Sequence, residues 1–161
     1  MIVIKNIEEL QIFSKWFQTV LEKHCHCSRY FSKDRFRPVE IHFREKIRDN
    51  EVDLIIVCSV GEYDRIYRRT IGFELKTSDL CKAVDQAIRR RDDFTYFYIV
   101  LDASVVTILS LLRNDPIRRA LDYGIGFISG KDDCVVIHSY TKHNVQYASA
   151  FKTIFDYIRS E

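Results

Sequence analysis

The feature that most constrains this chain is a pair of long β-prone runs separated by a short polar turn. Val52–Val60 is almost continuously β-branched or apolar, and Ile66–Thr77 returns with the same character. Between them, Gly61-Glu62-Tyr63-Asp64 supplies turn-forming residues. The two runs therefore predict an antiparallel hairpin. Residues equidistant from the turn centre face each other across such a hairpin. With the centre between Tyr63 and Asp64, Asp53 falls opposite Glu74. Side chains two apart share a strand face, so Glu74 and Lys76 point one way and Phe73, Leu75 and Thr77 the other.

The flanking segments complete an alternating pattern. Residues 7–24 read as an amphipathic helix capped by Asn6 with Glu9 at N3, with Ile7, Leu10, Phe13, Phe17, Val20 and Leu21 as the buried stripe. That stripe can cover Phe73 and Leu75. Val39–Arg44 alternates apolar and polar, with Val39, Ile41 and Phe43 inward, and reads as a strand. Ser78 or Asp79 caps a helix to about Arg91, and Thr95–Leu101 is a further strand. Residues 104–122 are helical in two pieces broken at Pro116. Gly124–Ser129 and Cys134–Ser139 read as short strands, and Val145–Arg159 as a closing helix. The order α-β-β-β-α-β-α-β-β-α is an α/β class, with a mixed central sheet flanked by helices. At 161 residues this is the size of one domain, residues 1–161.

An acid and a lysine on one face of an apolar hairpin are costly to bury unless they are paired or bind something. Two carboxylates can hold Mg²⁺ or Mn²⁺, which take hard oxygen ligands. Such a metal polarises a phosphate oxygen and lowers the pKa of bound water. A nearby lysine can orient that water or offset charge developing on the phosphate. Asp53, the spacing of about twenty residues, and Glu74-Leu75-Lys76 together supply what phosphodiester hydrolysis requires.

This pattern resembles the PD-(D/E)xK nucleases, which include restriction endonucleases, Holliday-junction resolvases and exonuclease domains. Gln86, in Ala83-Val84-Asp85-Gln86-Ala87-Ile88, matches a Gln that many resolvase and exonuclease members carry on the helix after the motif. The strand Tyr96–Leu101 also fits the family core. Val52 stands where the named Pro would be. The resemblance covers residues 7–101, and the elaboration 104–161 lies outside it. It implies a restriction-endonuclease-like core and a metal-dependent deoxyribonuclease of the resolvase or exonuclease branch, in a family whose substrates range from linear duplexes to junction or branched DNA. Asp53 and Glu74 would bind Mg²⁺ or Mn²⁺ together with the backbone carbonyl of Leu75. Lys76 and Gln86 would complete the catalytic group. Glu22 is the candidate acid on the first helix, with Glu8 on roughly the same face as its alternative. A homodimer follows by analogy with resolvases. The alternative is a non-catalytic module on the same fold that binds nucleic acid or protein.

Charge supports a polyanion partner. Residues 28–48 carry seven Lys/Arg against three acids, and residues 65–91 eight against three, although the formal net charge is only +2. Arg35 and Arg37, in a basic-aromatic stretch, and Arg65, Arg68 and Arg69, on the hairpin, are candidate DNA contacts. Arg89-Arg90-Arg91 is explained by the helix dipole. No apolar run reaches the roughly 18 residues of a membrane span. With no signal-peptide pattern, a soluble, cytoplasmic protein is expected. Its five cysteines show no spaced framework and are read as free thiols. Adjacent ligands in His24-Cys25-His26-Cys27 are spaced poorly for zinc.

Overall fold

The hairpin forms as its turn requires. In the computed structural model, which describes residues 14–25, 39–47, 50–62, 65–76 and 78–141, β2 (Asn50–Glu62) pairs antiparallel with β3 (Arg65–Lys76). The ladder runs without a slip from Leu54–Phe73 to Glu62–Arg65, which centres the turn between positions 63 and 64. β1 (Val39–Ile47) pairs antiparallel with the outer side of β2. β4 (Tyr96–Leu101) and β5 (Ile125–Ser129) extend the sheet in parallel from β3, and β6 (Cys134–Ile137) closes it antiparallel to β5. The result is one mixed sheet in sequential order, β1 to β6.

Each face of the sheet has its own helical layer. Helix α1 (Lys15–Cys25) buries Trp16, Phe17, Val20, Leu21, His24 and Cys25 against Leu54, Ile56, Phe73, Tyr98 and Val100. The Trp16 and Phe73 rings meet at 5.4 Å between centroids, and Leu75 packs at the edge of the same cluster. Phe17, Val20 and Leu21 thus fulfil the expected stripe, while Ile7, Leu10, Phe13 and the Asn6 cap lie outside the described residues. Asp133, from the turn between β5 and β6, accepts the N–H groups of Lys15 and Trp16 at 3.1 and 3.0 Å, satisfying donors the helix start would leave open.

The opposite face carries α2 (Leu80–Arg90), α3 (Val105–Leu111) and α4 (Asp115–Asp122). Val84 and Ala87 of α2, Ile108 of α3, and Ile117 and Leu121 of α4 pack there with Ile55, Phe97, Ile99 and Leu101. Asp79 caps α2 by accepting from Lys82 N, and Pro116 sits in the first turn of α4, where its missing N–H costs nothing. Gly72 lies between Ile55 and Phe97 in the ladder. A Cβ there would come within 2.6 Å of the Phe97 ring, so close packing on this face demands glycine.

The cysteines correct the expectation of free thiols. Cys25, the last residue of α1, forms a disulfide with Cys58 of β2, their Cα atoms 5.8 Å apart. Both are buried in the α1-facing core, and a separation of 33 residues leaves no spacing pattern to read. Cys81 and Cys134 are free. Cys27, Thr77 and the expected closing helix Val145–Arg159 lie outside the described residues. Among those described, no helix is long and apolar enough to cross a membrane.

Candidate active site

Past the Leu54–Phe73 pair the β2–β3 ladder ends. Asp53 fills the gap: its Oδ2 accepts the backbone N–H of Leu75 at 2.8 Å. Residues of a strand direct N–H and C=O to the same edge, so the Leu75 carbonyl faces this opening as well. Opposite Asp53, Glu74 is buried, its side chain only 5% exposed. Its Oε2 accepts from Arg90 Nη1 of α2 at 2.5 Å, and its Oε1 lies 3.7 Å from Lys76 Nζ. Lys76 remains 28% exposed, so the cluster opens to solvent through the lysine.

The electrostatics follow from this packing. Burial pushes the Glu74 carboxyl above its ordinary value, and the nearby Asp53 carboxylate pushes the same way. Arg90 and Lys76 oppose that rise. Gln86 sits one turn before Arg90 on α2, and its buried Oε1 has no hydrogen-bond partner among the described residues. An orphaned buried acceptor is a place for a water or ligand donor.

A divalent cation fits this donor set. Two carboxylates and a backbone carbonyl are hard oxygen ligands, and Mg²⁺ is commonly held by one or two carboxylates with waters completing its shell. Such a cation would also relieve the repulsion between Asp53 and Glu74. Among the described residues there is no cluster of three or more His, Cys, Asp or Glu side chains.

The remaining expected site residues are placed elsewhere. Glu22 is exposed on α1, whose buried side packs on the sheet face opposite the one α2 covers. The structure does not bring it to the acidic pair. Glu8, Arg35 and Arg37 lie outside the described residues. Arg65, Arg68 and Arg69 belong to the turn end of the hairpin, whereas Asp53 and Glu74 lie at its open end. Glu74 lies six positions along the strand from Arg68, about 20 Å away. Arg68 is exposed, 3.6 Å from Glu40. Arg69 donates to the His24 carbonyl at 2.8 Å and stacks over Tyr96, on the α1 side.

Two arginines have roles that the dipole explanation missed. Arg90 holds Glu74, and Arg91 donates to the carbonyls of Tyr123, Phe94 and Tyr140 at 2.7, 2.7 and 2.8 Å. Helical spacing carried the signal for Arg90, since Ala83, Val84, Ala87 and Arg90 form the buried stripe of α2. His24 is buried, with Nε2 2.5 Å from the Tyr98 hydroxyl, which also reaches His138 Nδ1 at 3.3 Å. With Cys25 in a disulfide, the His24–Cys27 run lacks one of its sulfur ligands. No family model, curated protein or solved structure matches this chain.

Proposed function

We propose that this chain is a metal-dependent deoxyribonuclease with a restriction-endonuclease-like core. The observation that carries the reading is the meeting of Asp53 and Glu74 at the open end of the hairpin, with Lys76 beside them. Asp53, Glu74 and the Leu75 carbonyl would hold Mg²⁺ or Mn²⁺, which supplies Lewis-acid polarisation of the phosphate and a more acidic water. Lys76, partly exposed, offsets charge developing on the phosphate or orients the attacking water. Arg90 fixes the Glu74 carboxylate in place, and the free Gln86 Oε1 accepts from a water at the site. Structure-selective cleavage and a homodimer are extensions by analogy with resolvases.

A second reading is favoured by one specific contact. Glu74 Oε2 is already engaged by Arg90 at 2.5 Å, a buried pair that is complete without a metal. On that reading the fold is a non-catalytic module that binds nucleic acid or protein. Incubation of labelled linear duplex, single strand, flap and four-way junction with Mg²⁺ or Mn²⁺ separates the two. Cleavage by the wild type that disappears in both Asp53→Ala and Lys76→Ala supports the enzyme. Binding of DNA without cleavage supports the module.

A further inference from the structure

Glu74 sets its two carboxylate oxygens against two different cations. Oε2 accepts from Arg90 Nη1 at 2.5 Å, and the Arg90 side chain is only 10% exposed. Oε1 lies 3.7 Å from Lys76 Nζ, and the Lys76 side chain is 28% exposed. The two contacts differ in kind. The short one joins two buried groups, so breaking it would leave a charge with neither water nor a partner. The long one is looser than a charge-assisted hydrogen bond, which runs at about 2.7–2.9 Å. Its lysine reaches solvent, so separating that pair costs little.

The elements sort the two cations in the same way. Arg90 is the last residue of α2 and belongs to its buried stripe, with Ala83, Val84 and Ala87. Helix packing therefore fixes the guanidinium against Glu74. Lys76 is the last residue of β3, and its ammonium is a compact charge on a flexible four-carbon stem.

Charge then limits how many ions the pair can take. The carboxylates of Asp53 and Glu74 stand with the ammonium of Lys76 and the guanidinium of Arg90, so these four groups are already balanced. One divalent ion adds two positive charges to them. A second ion, within the roughly 3.5–4 Å usual for two-metal sites, would add two more beside a guanidinium that cannot withdraw into water. The same guanidinium engages the oxygen that Glu74 would have to turn towards that second ion.

We infer that Glu74 divides its oxygens: Oε2 stays with Arg90, while Oε1 exchanges Lys76 for a single divalent cation, so that taking up the cation releases the lysine. Arg90 is then a positioning residue that stands in for a second metal, and the released ammonium is available to an incoming phosphate. The inference rests on the metal site proposed at Asp53 and Glu74, and adds to it the number of ions and the fate of Lys76.

Mn²⁺ binding to the full chain tests it without turnover. Electron paramagnetic resonance counts bound ions and shows whether they are spin-coupled. The wild type should bind one Mn²⁺, uncoupled. Lys76→Met keeps the aliphatic stem and removes the competing charge, so it should bind Mn²⁺ at least about threefold more tightly. Lys76→Gln should do the same, which keeps the test informative if one variant fails to fold. The guanidinium proton signal that Arg90→Lys deletes from the nuclear magnetic resonance spectrum should persist when Mg²⁺ saturates the site. Two bound ions, spin coupling, unchanged or weaker binding in both lysine variants, or loss of the Arg90 signal on adding Mg²⁺ would each overturn the inference while leaving a metal site in place. No Mn²⁺ binding by the wild type would overturn the metal site itself, and the inference with it.

Discussion

Glu74 carries the sharpest conflict in the molecule. Its carboxylate is buried beside Asp53, and Arg90 and Lys76 compensate the charge. Removing one partner of a buried pair leaves an uncompensated charge. Arg90→Met should therefore lower stability by about 3–5 kcal/mol, read from urea unfolding. The double variant Glu74→Gln/Arg90→Met should recover most of that loss. A neutral Arg90→Met would mean that the pair does not form. The pH dependence has a defined sign. The folded Glu74 carboxyl lies above its ordinary value of 4.5. Its linkage contribution is thus fully present below that value and is lost as pH rises through the folded one. His138 runs the other way: burial, aided by Lys23, holds it below its ordinary value of 6.5. Its contribution is present above 6.5 and is lost as pH falls through the folded value. Wild type compared with Glu74→Gln should accordingly lose relative stability as pH rises from below 4.5 through the raised folded value. Unfolding curves at the two ends, with a flat difference, would contradict this assignment.

At the level of elements, the two sides of the sheet are secured differently. On the α1 side the Cys25–Cys58 disulfide ties the end of the helix to β2. For a loop of this size the crosslink is worth about 3–4 kcal/mol, so Cys58→Ser, or reduction of the wild type, should shift urea unfolding by that amount. An unshifted curve would show that the bond is absent in solution. On the α2 side close packing dominates: Gly72→Ala should cost about 1–3 kcal/mol by thermal unfolding, because the Phe97 ring must move. These elements also mark where the sequence could be read. The hairpin register was legible because a β-branched run, a polar turn and a second run leave little freedom, and Asp53 and Glu74 follow from it. The stripe Phe17, Val20 and Leu21 was legible for the same local reason. Arg90 was passed over because a cation at a helix C-terminus already has a sufficient explanation. The disulfide and the Tyr98 contacts with His24 and His138 were not legible, since tertiary packing joins residues distant in sequence. Arg65, Arg68 and Arg69 lie at the turn end of the hairpin, away from the acids, a separation that charge alone does not show.

As a whole, the molecule is a three-layer α/β arrangement whose two helical layers meet different demands. The α1 layer is a cross-linked apolar core, and the α2 layer places charged groups where β2 and β3 part. The open end of the hairpin gains its chemistry from that parting, because Asp53 can turn into the gap only where the ladder stops. The central claim is that Asp53 and Glu74 together form a divalent-cation site. Calorimetric titration of Mn²⁺ into the wild type and Asp53→Asn tests it most directly. The asparagine keeps an oxygen to accept the Leu75 N–H, so the fold should persist while a metal ligand loses its charge. The account predicts saturable binding by the wild type, weakened at least about tenfold in Asp53→Asn. Absence of binding by the wild type, or equal binding by both proteins, would contradict it.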